Sequence, residues 1–301
     1  MSSREVRVDT PWLGPSRGRL SDWVTQRWVE ATGRRVALAE HPWLDGPTGG
    51  PDVIGADFFH RHAAARGLVV DEQSTPRGLL DDFSALAGPA FPVERVAPAV
   101  VRFYERTSEY GLDVWSQWCG AYRPFAALLA VLFSRRLQQL NVPLSPLDTS
   151  LGVGNRVLKL RAPDGRAVLT AWVRELVASR HTLYAGSYGV CRVPGEPGPC
   201  MRVVFPLPNG SAIVVMRPEL HADGSVSVSS FGRGFGGAGF YFYVGDGPDR
   251  GHARYVRTLK ESIRVFPGTD GAVRADHALD LFGATFLRLH YRMVEQAPRT
   301  A

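Results

Sequence analysis

Hydrophobic positions follow one rhythm in the first half of the chain and another in the second. Before about residue 150 they recur three and four apart. Ser21 stands as a helix N-cap, Val24, Trp28 and Ala31 follow at helical spacing, and Gly33 is placed to end the turn. A short helix is expected from about Asp57 to Arg66, closed by Gly67. Another is expected over residues 96–110, with Val100, Val101, Phe103 and Tyr104 as its apolar surface. From Pro124 the segment PFAALLAVLFSRRLQQL reads as an amphipathic helix to about residue 140. Its stripe is Phe125, Leu128, Leu129, Leu132, Phe133 and Leu140. Pro143 and Pro146 then break the chain.

Beyond that break the period falls to two, and turn dipeptides punctuate it: Asp164-Gly165, Asn209-Gly210, Asp223-Gly224 and Asp270-Gly271. Each tolerates the left-handed backbone of a tight hairpin. The runs between them predict about ten strands, near 155–161, 167–176, 181–192, 200–206, 211–217, 225–231, 239–245, 252–266, 273–281 and 284–293. An open sheet of that size leaves long unpaired edges, so closure is expected. The predicted fold class is α+β: a lead-in over 1–20, a helical region over 21–150, and an antiparallel β-meander over 151–301 that closes into a barrel or half-barrel.

Strand faces supply the functional candidates. In 273–281 one face reads Val273, Ala275, His277, Leu279, Leu281, which makes His277 an interior histidine. Either it is a satisfied structural residue or it serves a ligand or a proton transfer. Tyr184 and Tyr188 share a face and join it as hydrogen-bonding or acid-base candidates. Phe240 and Phe242 share another, with Tyr241 and Tyr243 opposite. In the last strand Arg288, His290 and Arg292 alternate with Leu287, Leu289 and Tyr291. If the polar side faces inward, those three receive an anionic headgroup; if the apolar side does, they face solvent. A cavity with such walls suits a lipid, fatty acid or polyketide-like molecule.

Other motifs fail on context. Gly232, Gly234 and Gly237 have dinucleotide spacing, but the strand-forming run FYFYV follows where a helix is needed. They read instead as a flexible loop gating the barrel mouth. Ser187 in AGSYG lacks the helix that a nucleophile elbow requires. His60 and His62, two apart on a helix, point to different faces, and no CxxC or HExxH occurs. No metal or cofactor is expected. Cys191 and Cys200 flank a turn and would lie opposite each other in a hairpin, either as a disulfide or as two buried thiols.

Composition narrows the partners. The 301 residues are 45% apolar with a net charge of +6. The basic residues are nearly all Arg, Lys159 and Lys260 excepted, and they are scattered rather than clustered, so nucleic acid is not the expected partner. The amino terminus lacks a secretory apolar core, and the longest apolar run, Phe125 to Phe133, is too short to span a bilayer. The expected location is cytoplasmic. The segments LDVWSQW, SRRLQQLNVPLSPLD and RADHALDLFGATFLRLHYRM resemble those of an uncharacterised group of proteins from high-GC bacteria, and the meander resembles lipocalin-like barrels. The resemblance implies architecture only and carries no reaction. Three readings follow: a barrel that binds a hydrophobic small molecule, a cofactor-independent cyclase or isomerase using the same cavity, and a module that docks on a membrane or protein through residues 115–140. Oligomeric state stays open.

Overall fold

The computed structural model describes residues 20–50, 54–74, 76–120, 152–177 and 181–296. The helices are α1 (Leu20–Thr32), α2 (Phe58–Arg66) and α3 (Pro98–Glu105). The strands are β1 (Arg34–Ala37), β2 (Val69–Asp71), β3 (Tyr110–Trp118), β4 (Val153–Arg161), β5 (Ala167–Leu176), β6 (Thr182–Cys191) and β7 (Cys200–Leu207). They continue as β8 (Gly210–Leu220), β9 (Val226–Ser229), β10 (Gly239–Gly245), β11 (Arg250–Val256), β12 (Leu259–Pro267), β13 (Val273–Leu281) and β14 (Ala284–Glu295).

Ten of the strands close into an antiparallel barrel, in the order β3-β4-β5-β6-β7-β8-β9-β12-β13-β14 and back to β3. Closure removes the sheet edges that a meander would otherwise expose. The long strand β8 makes closure compatible with a side sheet. Its residues 217–220 pair with β9 inside the barrel, while residues 210–215 pair with β10, which carries β11 and β1 outside it.

The four turn dipeptides sit where hairpins reverse. Asn209 has φ 56°, and Gly165, Gly224 and Gly271 have φ of 85°, 77° and 76°. The expected strand 252–266 is two strands. β11 joins the side sheet and β12 the barrel, through a turn at Arg257-Thr258 that contains none of the usual turn residues. The region expected to be helical contributes a barrel strand, β3, along with β1 and β2. β3 meets β4 at one pair, Leu112 with Val153. The chain between them, including the expected helix 124–140 and the expected boundary near 150, lies outside the described residues.

One end of the barrel, here the lower end, is closed by α3 and the segment before it. Pro98 starts α3, and Val100, Phe103 and Tyr104 at spacings of three and one form its buried face. They pack with Leu79, Leu80 and Phe83 against Val226, Val265 and Val273 of the barrel wall. The Ala97 amide donates to the Gly224 carbonyl in the β8–β9 turn at 2.9 Å, fixing the plug to the wall.

Helix α2 covers the outer face of β4 to β6. Ala171 and Ala185 are small enough to admit Phe58 and Phe59 there. Ser187 sits within β6, in extended chain, so no nucleophile elbow forms. Helix α1 departs from its expected face. Val24 and Trp28 are 56% and 40% exposed, whereas Asp22, Gln26 and Val29 are buried. Both sets have helical spacing. The β7–β8 turn selects the second, because Gln26 donates to the Pro208 carbonyl there at 3.1 Å.

Candidate functional site

The barrel interior is not uniformly apolar. Strand β5 alternates Thr170, Trp172, Arg174 and Leu176 inward with Ala171 and Val173 outward. Arg174 is paired in register with Tyr184 of β6. Its guanidinium carbon lies 4.0 Å from the Tyr184 ring centroid, 4.4 Å from that of Trp172 and 5.2 Å from that of Tyr291. This is cation–π geometry on three rings. Gly186 lets the rings close: a Cβ there would sit 3.1 Å from Phe205 and 3.3 Å from Tyr184. The Trp172 indole N–H donates to Asn155, whose amide donates to the carbonyls of Thr107 at 2.7 Å and Tyr110 at 2.8 Å.

Two further polar strands complete the cluster. On β12, Leu259, Glu261, Ile263 and Val265 face inward, and Glu261 is held by Ser230, whose hydroxyl accepts from the Glu261 amide at 2.7 Å. On β13, His277 faces inward with its Nε2 2.6 Å from Glu261 Oε1. The contact falls off the line of a good ring N–H bond. The His277 ring is stacked on Tyr291 with centroids 6.3 Å apart. Tyr184 and Tyr188 join hydroxyls at 3.0 Å. Burial pushes both phenols well above their ordinary range. At neutral pH they are therefore hydrogen-bonding groups and not phenolate bases.

Arg174 is 9% exposed, and no carboxylate pairs with it among the described residues. It hydrogen-bonds the Tyr291 hydroxyl, but its Nε has no partner. A guanidinium keeps its charge in any protein, so the barrel encloses a fixed positive charge facing neutral rings. Above it, at the end away from α3, the inward residues Trp118, Leu259, Leu279 and Phe286 are only partly buried.

Tyr184, Tyr188 and His277 lie in one cluster inside the barrel. Phe240 reaches the same core, but Phe242 does not. It packs against Trp28 of α1 at 6.1 Å, outside the barrel. Arg288, His290 and Arg292 line the outer wall. β14 turns Leu287, Leu289, Tyr291 and Met293 inward because burying that face removes the larger apolar area from water. Outside, His290 contacts Asp276 at 2.6 Å, and Arg292 contacts Asp270 at 3.2 Å and Asp113 at 3.6 Å. A headgroup role inside the barrel is therefore ruled out for these three. Sequence reasoning missed Arg174 and Glu261 and left Tyr291 with the apolar set. The signal was present: Arg174 alternates with Trp172 and Leu176, and Glu261 with Leu259 and Ile263, each a charge on an apolar face.

The glycine loop is not a free gate. The Tyr241 hydroxyl accepts from the Gly236 amide at 3.0 Å and donates to the Gly237 carbonyl at 2.6 Å, while Glu196 accepts from the Ala238 amide at 3.0 Å. The loop rests on the side sheet. Cys191 and Cys200 are register partners with free thiols, which burial pushes up to about 11 and about 12. His60 contacts Glu72, and His62 stacks on Phe58.

No known protein family matches the chain, and no solved structure does. The chain is similar to a membrane protein. Over 244 residues, 79% of this chain, it is 29% identical to the uncharacterized membrane protein YndJ of Bacillus subtilis (strain 168). The match spans 41% of that protein's length. No helix among the described residues is long and apolar enough to cross a membrane.

Proposed function

We propose that the barrel binds a hydrophobic small molecule with an anionic end, such as a fatty acid or a polyketide-like intermediate. The carrying observation is Arg174: a buried cation over three rings with no carboxylate partner among the described residues. An unpaired buried charge costs several kcal/mol, roughly, and an incoming carboxylate offsets that cost with a bidentate bond. Tyr184 and Tyr188 supply hydroxyls beside it. The half-buried apolar residues at the upper end match the tail. Native mass spectrometry followed by denaturing extraction tests the reading. An apolar acid in stoichiometric amount is expected. A protein of bare-chain mass that also fails to take up palmitate would contradict it.

The Glu261–His277 contact favours a second reading, a cofactor-independent cyclase or isomerase in which His277 moves a proton while Glu261 holds its ring. His277→Gln would then abolish turnover of the extracted ligand without loss of binding. Unchanged turnover in that variant removes the histidine from the chemistry.

A further inference from the structure

Outside the barrel, a cleft of about 520 Å³ opens between the end of α1, the glycine loop and β11. It exists because of the register. β1 begins at Arg34, opposite Ala253, so β11 from Arg254 onward has no strand on that side. Gly33 permits the sharp step from α1 into β1: a Cβ there would lie 2.5 Å from the Val29 carbonyl and 2.9 Å from that of Ala253. The walls are Trp28, Phe235 and Tyr255, and the charged lining is Arg34, Arg254 and Arg257.

Among the described residues no acidic side chain lines this cleft. Arg34 lies 4.7 Å over the Phe235 ring, and Arg254 lies 5.8 Å over Trp28. Arg254 is also held by the Thr32 carbonyl at 2.7 Å, which leaves its buried Nε without a partner. None of the three arginines has a carboxylate partner among the described residues. The neighbouring Arg35, on the other face of β1, does, in Asp246 at 3.3 Å. Three arginines line the cleft around the edge of β11, Arg34 over Phe235 on one face of the sheet and Arg254 over Trp28 on the other, and Arg254 is fixed by a backbone acceptor.

We infer that this cleft is a binding site for a phosphate group, with the aromatic walls taking the body that bears it. Planar guanidinium groups match phosphate oxygens in pairs, and their number here exceeds what one carboxylate needs. Two sources present that chemistry: a free phosphorylated metabolite and a phospholipid headgroup. Trp23 and Val24, exposed on the same helix as Trp28, would lie against the lipid in the second case.

The test uses the full chain, inorganic pyrophosphate as the soluble probe, and vesicles of phosphatidylcholine with or without phosphatidylglycerol as the lipid probe. Calorimetry and flotation are run on the wild type, on the Arg34→Gln/Arg257→Gln double variant, on Arg257→Gln alone, and on Arg35→Gln as the paired control. Saturable pyrophosphate binding is expected if the source is soluble. Flotation with phosphatidylglycerol vesicles only is expected if the source is lipid. In either arm each lost arginine should weaken binding roughly tenfold, while Arg35→Gln binds as wild type. The single variant guards against a folding defect in the double. Absence of binding in both arms overturns the proposal, as does undiminished binding by the double variant.

Discussion

Among the described residues two cations are buried in the wall of this barrel, and their surroundings differ in one respect. Lys159, near the end that α3 closes, is 2% exposed and reaches Asp81 at 2.6 Å and Thr170 at 2.9 Å. Arg174, one strand over and toward the end away from α3, meets rings and hydroxyls but, among the described residues, no carboxylate. The outer wall repeats the lesson: Arg274 and Arg292 share Asp270. At Lys159 and along the outer wall the fold supplies a counter-ion. Among the described residues no counter-ion meets the buried Arg174, and that marks the position as a place for a ligand.

Arg174→Leu should break the contrast most sharply. The substitution removes an uncompensated charge, so the unfolding free energy should hold steady or rise by up to about 4 kcal/mol. Palmitate affinity should fall by about 2–5 kcal/mol, the usual penalty for truncating one side of a buried charge pair. Urea unfolding and a binding isotherm on the same variant separate the two effects. Asp81→Ala sharpens the contrast from the other side by leaving Lys159 as unpaired as Arg174. Because Asp81 is 66% exposed, the expected cost is about 1–3 kcal/mol and not that of a fully buried pair. Palmitate binding should be unaffected.

The smallest effect belongs to the outer wall. The Arg292 guanidinium, with help from the Ala272 amide and Arg274, holds the Asp270 carboxyl below its ordinary range. A lowered folded value means that this group's stability contribution is complete above the ordinary carboxylate pKa and is lost as pH falls through the folded value. Asp270→Asn should therefore lower the urea midpoint slightly at neutral pH and flatten the acid side of its profile, so that variant and wild type converge at low pH. An unaltered acid limb would show that the outer web is decorative.

Much of the fold was legible in the residues. The bounds of β5, β10 and β13 follow from alternation, and four hairpins from their turn dipeptides. The β11–β12 break was hidden because Arg257-Thr258 has no turn chemistry; pairing with different sheets makes the break, and that is a long-range property. The face of α1 was misassigned because hydropathy favoured Val24 and Trp28, while the β7–β8 turn offered Gln26 a backbone acceptor. The inward placement of His277, Tyr184 and Tyr188 was legible because polar residues on apolar strand faces announce themselves. The same rule would have found Arg174 and Glu261. For β14, period two gave both faces but not which one the barrel would enclose.

The most direct test of the central claim is carbon-13 NMR of carboxyl-labelled palmitate mixed with the wild type and with Arg174→Leu. A bound carboxylate held by Arg174 should give a distinct signal that resists protonation well below the ordinary carboxylate pKa, and the variant should lack it. A wild type without that signal, or a variant that shows it unchanged, would contradict the account.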